Sequence, residues 1–246
     1  MPLRAFHGAP ELKAKYLNRV AQHRALDHLV QGIGWNGMTK GCAVGCTLEA
    51  YDHVRYPIEL GVPLQLAYLE DQLFEQQNVE DAQRWPERFL SAIPVGADLT
   101  RVWPEWAVWM LVDPAHGVIK YACGNGRIAK AIEQVAAIYR ADVIEPDAEL
   151  AAEAAATVAA AGMTTAAGRA ATVAARAAAA AATTAAAAQM ATRMAAATAT
   201  AAAQVATRMA AATSAARGGL IWTTAACDRL IALLMAAPVL PQGVRE

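Results

Sequence analysis

Apolar residues recur at helical spacing along most of the first 140 residues of this chain. In 10–31, Leu12, Tyr16 and Val20 lie four positions apart and outline an apolar face, and Gly32 follows as a stop signal. In 64–77, the leucines at 66, 69 and 73 form a second such face. Glu70, Asp71 and Glu75 fall between them, so the pattern predicts a helix with an acidic, solvated outer face.

Local signals predict the other elements of this part. Asn78 is a natural N-cap for a helix ending near residue 93, and Pro86 is expected to break or restart it. Pro104 suits the first turn of a short Trp-rich helix. The remaining predictions are a short helix at 47–54 that Thr47 can cap, a strand at 116–123, and helices at 127–140 and 223–236.

Residues 151–200 are dominated by alanine, which occupies 29 of these 50 positions. Alanine has the highest helix propensity, so this tract predicts helix. The segment QMATRMAAAT at 189–198 recurs as QVATRMAAAT at 204–213, a period of 15 residues. Small side chains at that period let helices approach closely, and methionines fill the gaps between them. The sequence therefore predicts a mostly all-α protein, with a globular helical, aromatic-containing domain over 1–142. An Ala-rich scaffold over 143–246, either a long helix or a helical hairpin or bundle, ends in a Leu-rich helix.

Charge excludes one large class of partner. The chain carries 21 Lys and Arg residues against 22 Asp and Glu residues, a net charge of −1, whereas nucleic-acid-binding proteins are usually basic. We find neither a long apolar run near residue 1 nor a spanning segment, and only four cysteines. These features predict a cytoplasmic protein with reduced thiols that binds neither nucleic acid nor membrane. The long Ala-rich tract favours a protein partner or a homo-oligomer.

The strongest candidate chemistry lies in GCAVGCTLEAYDH at 41–53. Cys42, Cys46 and His53 supply two thiols and one imidazole, three donors that zinc accepts. Alternatively, Cys46 near a helix N-terminus is a nucleophile, with His53 as its base and Asp52 or Glu49 as the orienting group. A third interpretation is that both cysteines pack as small apolar residues beneath the loop.

Two further patterns have structural explanations beside functional ones. The segment GIGWNG at 32–37 matches GxGxxG, but a helix rather than a strand precedes it, so a dinucleotide site is not expected. Lys40 beside these glycines can hold an anion. The aromatic residues either line an apolar ligand pocket or fill the core; they are Tyr56, Tyr68, Trp103, Trp106 and Trp109.

The element KGCAVGCTL…YDH, followed by Tyr56–Pro57 and by ELGVP at 59–63, resembles a class of uncharacterised bacterial and phage proteins. Their second half is an Ala-rich helical tract that ends in a short Leu-rich helix, as DRLIALL does here. The Ala-rich half also resembles proteins described as immunity proteins. The resemblance implies no activity.

These patterns leave three functions open. The chain contains no P-loop, HExxH or GxSxG motif, which favours a non-catalytic helical binding or interaction protein. The resemblance implies that such a protein is immunity-related or phage-related. The second hypothesis is an enzyme or redox protein that uses Cys46 and His53. The third is a fold stabilised by zinc, the one cofactor that the sequence suggests.

Overall fold

The computed structural model describes residues 3–117, 119–120, 126–140 and 218–241. Within them, 66% of residues are helical, and pairing between extended segments is limited to isolated bridges such as Leu29 with Gly41 and Ala97 with Val239. The prediction of a mostly all-α fold is confirmed. None of the described helices combines the length and apolarity needed to cross a membrane.

Seven α-helices lie in the described part of the chain. They are α1 (Pro10–Ala25), α2 (Ala43–Leu48), α3 (Leu64–Gln76), α4 (Val79–Ala92), α5 (Val102–Val112), α6 (Gly126–Arg140) and α7 (Gly218–Ala236). A 3₁₀ turn at Ala5–Gly8 precedes α1, and a π-helical turn at Tyr56–Leu60 precedes α3.

The chain divides into two compact units, with boundaries at Trp103/Pro104 and Ala225/Ala226. In the first unit, α1 packs on α2 and α4, and α3 also packs on α2 and α4. The segment after α7 returns to this unit, where the Asp98 amide donates to the Pro238 carbonyl (2.8 Å) and the Leu240 amide to the Gly96 carbonyl (3.0 Å). The largest fully buried side chains of this unit are Tyr16, Tyr56, Phe6, Phe74, Phe89 and Trp85.

Helices with a clear cap or apolar face lie close to their predicted positions. The predicted helix at 64–77 is α3, and the Asn78 side chain caps α4 by accepting from the Asp81 amide (2.9 Å). Pro86, however, does not break α4, which continues through it. A proline inside a helix removes one backbone hydrogen bond, and burial of the neighbouring Trp85, Phe89 and Leu90 offsets that cost.

Other boundaries differ from the predictions. Helix α1 ends at Ala25 rather than near Gln31, because Asp27 takes a left-handed conformation (φ 53°) and the chain turns away. Helix α2 begins four residues before Thr47, with Cys42 rather than Thr47 as its cap.

The predicted strand at 116–123 is wrong for its described residues. The Asp113 carboxylate accepts from the amides of Ala115 (3.0 Å) and His116 (2.8 Å) and so folds this segment into a turn, and residues 119–120 are 3₁₀. Helix α7 begins at Gly218, before the predicted start at 223. The Ala-rich tract, its 15-residue repeat and the predicted boundary at 142/143 lie outside the described residues.

Candidate metal centre

Helix α3 is buried on its polar side as well as on its apolar side. Leu66, Leu69 and Leu73 are buried as predicted, but Glu70 and Asp71 are only 0% and 3% exposed. The predicted acidic, solvated face is therefore wrong at these two positions. A hydrophobic pattern identifies one face that must be covered; it carries no information on a second element that covers the opposite face.

Asp71 is held by two donors that reach the same carboxylate oxygen. The Tyr51 hydroxyl donates to Oδ2 at 3.0 Å, and His53 Nε2 lies 3.1 Å from that atom. Tyr68 stacks on the His53 ring with centroids 4.1 Å apart, which fixes the imidazole in place. The other oxygen of Asp71, Oδ1, is buried and has no hydrogen-bond partner. Buried carboxylate oxygens are usually bonded, so the partner of Oδ1 would be the Cys42 thiol, which hydrogen-bonds to this carboxylate, or a metal ion that takes the place of the thiol proton.

Cys42 and Glu75 join Asp71 to form a three-residue cluster. One donor atom from each residue, a sulfur and two carboxylate oxygens, lies within 4.8 Å of the other two. Asp71 and Glu75 are four positions apart on α3 and so share a helix face. The Gly32 amide holds Glu75 by donating to Oε2 at 2.7 Å.

The electrostatics of this cluster disfavour negative charge. Burial, and secondarily the neighbouring Asp71 carboxylate, raise the pKa of the Cys42 thiol well above its usual range. Burial and the same carboxylate also raise the pKa of Glu75. Among the ion pairs of the described residues, none joins a lysine or an arginine to Asp71 or Glu75. The described side chains thus bring three acidic groups together, with the His53 imidazole against Asp71 and no lysine or arginine paired with them.

Glycines let the 32–41 loop close over the start of α2 and position Cys42. The Gly34 carbonyl accepts from the Cys42 amide at 3.1 Å. A Cβ at Gly45 would lie 1.8 Å from that carbonyl oxygen, and a Cβ at Gly34 would lie 2.5 Å from the Tyr51 ring. Of the glycines in the GxGxxG match, Gly34 therefore serves close packing against the Tyr51 ring, whereas Gly32 and Gly37 have open space and take left-handed backbone conformations. Cys42 Sγ then caps α2 by accepting from the Gly45 amide at 3.4 Å.

The loop amides near Lys40 are already bonded. Asn36 Oδ1 accepts from the amides of Met38, Thr39 and Lys40 at 2.9–3.0 Å. An anion at Lys40, as the sequence suggested, would have to bind through the side chain, because these backbone donors are engaged.

Glu70 forms a separate buried pair with Tyr56. The Tyr56 hydroxyl donates to Glu70 Oε2 at 2.5 Å, and the Trp85 indole donates to the Glu70 carbonyl at 2.9 Å. Burial raises the pKa of Glu70 well above its ordinary value. Burial therefore disfavours the charged form of this carboxyl, which is a core group separate from the Cys42 cluster.

The structure places the predicted Cys46, His53 and Asp52 set in three different environments. Cys46 is fully buried and directs its thiol to the carbonyls of Gly41 (3.4 Å) and His28 (3.5 Å). Burial raises the pKa of Cys46 to about 12. Asp52 is exposed and accepts from the Val54 amide, whereas His53 pairs with Asp71.

Sequence reasoning selected Cys42 and His53 but missed Asp71 and Glu75. One signal was present in LQLAYLEDQLFEQ, the sequence of α3, which carries three acidic residues and no basic one. Solvated helix faces usually intersperse both signs, since Glu–Lys pairs four apart stabilise them. Acidic residues without any basic residue on a leucine-rich helix were therefore a signal that these positions are not an ordinary solvated face.

The predicted aromatic group falls in several places. Tyr56 and Tyr68 belong to the first unit, where they contact Glu70 and His53. In the second unit, Trp106, Trp109 and Trp222 form a cluster with centroids 6.1–6.5 Å apart. The Trp222 indole donates to the His116 carbonyl at 3.0 Å. Trp106 and Trp222 are buried, which is the arrangement of core aromatics.

No protein-family model, no curated protein and no solved structure matches this chain.

Proposed function

We propose that this chain is a metal-binding helical protein whose first unit holds a zinc ion through Cys42, Asp71 and Glu75. The observation that carries the proposal is the buried, unpartnered Oδ1 of Asp71, whose carboxylate lies within 4.8 Å of a thiol and a second carboxylate. A cation between the Cys42 sulfur and this oxygen would replace the thiol proton, which hydrogen-bonds to the Asp71 carboxylate in the metal-free chain.

Charge supports a cation of high positive charge. Three groups that become anionic on losing a proton converge on a site where Cys42 and Asp71 are buried and where, among the described side chains, no lysine or arginine pairs with them. Accumulating charge of one sign there is costly in a medium of low dielectric constant. A bound divalent ion replaces this repulsion among negative groups by attraction between each group and the ion. It also favours the deprotonated thiolate, the form of cysteine that binds metals.

The donor set supports zinc over magnesium or calcium. Magnesium and calcium prefer sites built from oxygen ligands alone, whereas zinc accepts sulfur and carboxylate oxygen together. Donor atoms around a tetrahedral zinc are about 3.5 Å apart, given Zn–S and Zn–O bonds of about 2.3 and 2.1 Å. Donors now within 4.8 Å of one another must therefore close by up to about 1.3 Å. Glu75, at the edge of the cluster, is the member with room to move.

Tyr51 and His53 act as positioning residues in this proposal. Both contact Asp71 Oδ2 and so leave Oδ1 for the metal. Hydrogen bonds of this kind fix the orientation of a ligand and raise its affinity for the ion. His53, which the sequence suggested as a ligand, thus supports a ligand instead.

The experiment is zinc stoichiometry measured on the full reduced chain after equilibration with Zn²⁺ and removal of the excess. We expect one tightly held ion, lost in Cys42→Ser and in Glu75→Gln. Cys46→Ser is the matched control, because the serine hydroxyl can donate to the same two carbonyls; it should keep the ion.

Zinc retained by the Cys42 and Glu75 variants would overturn the proposal. Zinc lost in the Cys46 variant would favour the ligand set suggested by sequence, namely Cys42, Cys46 and His53. The interaction-protein role and the Cys46–His53 enzyme stay predictions.

A further inference from the structure

Two histidine rings face each other at the end of α1. His23 lies in the last turn of the helix and His28 follows the turn after it, and their Nδ1 atoms are 3.3 Å apart. Two imidazole nitrogens at this distance share one hydrogen, because one of them must donate and the other must accept. The pair can therefore hold one charged ring, but two charged rings would place two donors of like charge against each other.

His23 is the fixed member of this pair. It is 9% exposed, and the Trp35 ring packs edge-on against it with centroids 5.8 Å apart. Its other ring nitrogen, Nε2, lies 3.8 Å from Glu49 Oε1, and the Thr39 backbone also hydrogen-bonds to the ring. His28 is only partly buried and lies outside the helix, so it is the member with room to move.

The surroundings of His23 favour its neutral form. Burial lowers the pKa of His23, and the Glu49 carboxylate, which favours the charged ring, only partly opposes this effect. Glu49 follows α2, is 52% exposed and also pairs with Arg19 of α1 at 3.4 Å. Arg19 and the second imidazole disfavour a charged ring, and on the α4 side Glu87 pairs with Arg24. The stability that the neutral ring contributes is therefore complete above the ordinary histidine pKa of about 6.5, and it is lost as pH falls through the lowered value.

The backbone of His28 connects this pair to the loop that covers α2. Its carbonyl accepts from the Gly41 amide at 3.0 Å and from the Cys46 thiol at 3.5 Å. Two residues later, the Val30 amide donates to the Gly41 carbonyl at 2.8 Å. Displacement of His28 would therefore break the contacts that close the 28–41 segment.

We propose that the facing imidazoles of His23 and His28 form a pH-sensitive contact that keeps the 28–41 segment closed over the start of α2 near neutral pH and releases it when both rings are protonated. On the second protonation, the partly buried ring moves away and takes its backbone carbonyl with it. The proposal goes beyond the zinc site and does not require the ion.

The test is amide hydrogen exchange of the full reduced chain in EDTA, followed by NMR at pH 7.5 and at pH 5. Each rate is divided by the rate of an unstructured amide at the same pH, which removes the direct effect of pH on exchange. A proton that only the open state can hold, on a ring that titrates near 6.5, favours opening by about thirtyfold at pH 5. We therefore expect the Val30 and Gly41 amides to lose at least tenfold in protection, whereas the Leu73 amide inside α3 keeps its protection.

His28→Gln separates the second charge from the hydrogen bond. The glutamine amide can donate to a neutral His23 or accept from a protonated one, so the pair keeps a hydrogen bond in both states. The loss of protection at Val30 and Gly41 should then be at least threefold smaller than in wild type. The matched control is His7→Gln, since this exposed ring bonds to a carbonyl elsewhere, and it should behave as wild type does.

Constant protection of Val30 and Gly41 down to pH 5 would overturn the proposal, as would an equal loss in wild type and in His28→Gln. A parallel loss at Leu73 would show global unfolding instead of release of one segment, and would also overturn it. If the glutamine variant does not fold, the ring C–H resonances of His23 and His28 in wild type decide the question. They must shift over the pH range in which Val30 and Gly41 lose protection, and a different range would refute the link. Because no metal is present, none of these results depends on the zinc site.

Discussion

Replacing Glu75 with glutamine should make the chain more stable than wild type without zinc and less stable than wild type with zinc. Without metal, Glu75 and Asp71 place carboxylate oxygens within 4.8 Å of each other. Two unit charges at that distance repel by about 3.5 kcal/mol at an effective dielectric constant of 20. Because Glu75 is partly exposed, solvent screening reduces this to about 1 kcal/mol. The glutamine oxygen can still accept from the Gly32 amide, so the hydrogen bond is retained.

The variant should therefore be the more stable protein in chelator, with a midpoint of thermal unfolding about 2–4 °C higher. With free zinc at a hundred times its dissociation constant, the wild-type chain gains about 2.7 kcal/mol and the variant gains almost nothing. The order of stability is then reversed. Urea unfolding followed by circular dichroism, in EDTA and in zinc, measures both values.

The pH dependence of the metal-free chain has a definite sign. The pKa of Glu75 is raised in the folded state by burial and by Asp71. Its contribution to stability is thus fully present below the ordinary pKa of a glutamate and is lost as pH rises through the raised value. The glutamine variant should lack this loss.

The matched control is Glu80→Gln on α4, an exposed residue paired with Arg84 at 2.9 Å. Exposed pairs of this kind contribute about 0.3–0.5 kcal/mol, so this variant should behave alike in EDTA and in zinc. The reasoning is refuted if Glu75→Gln is less stable than wild type in EDTA, or if it responds to zinc as wild type does.

Three further predictions test the surroundings of the site. Gly45→Ala should destabilise the chain by more than about 3 kcal/mol in urea unfolding, because its Cβ would meet the Gly34 oxygen at 1.8 Å. Gly37→Ala, which has open space, should cost only the left-handed penalty of about 1–2 kcal/mol; equal costs would contradict the packing argument. Cys46, with a pKa of about 12, has a thiolate fraction of roughly one in ten thousand at pH 8. Iodoacetamide should therefore label it only after denaturation, and rapid labelling of the native chain would revive its role as a nucleophile. Glu70→Gln should stay within about 1 kcal/mol of wild type in urea unfolding, whereas Glu70→Ala should cost about 2–4 kcal/mol by leaving a cavity and an unpaired hydroxyl. If Glu70 acted through its charge, Glu70→Gln would be the more destabilising of the two variants.

Local physics explains why several elements were predictable. The Asn78 cap and the leucines at 66, 69 and 73 act within one or two turns, so α3 and the start of α4 follow from neighbouring residues. The choice of Cys42, Cys46 and His53 also needed only the types of residue available in one short segment, and as a site it stays a prediction.

The errors arose where a distant segment changed the outcome. Pro86 should break a helix by local rules, but α4 runs through it with buried neighbours on both sides. The end of α1 depends on the 28–30 segment, which turns back to bridge with Gly41. Neither effect is visible in a window of a few residues.

Residue types and spacing alone therefore predicted a mostly helical chain, as its described residues are, located α3, and offered the Cys42 thiol as a candidate ligand. Only the tertiary structure decided which oxygens accompany that thiol. Asp71 and Glu75 have the spacing of a solvated helix face, and only the packing of α2, α4 and the Tyr51–His53 segment against α3 moves Asp71 into the interior. Burial is a property of every element around a side chain, and a periodic pattern along one helix reports only on the face that is apolar.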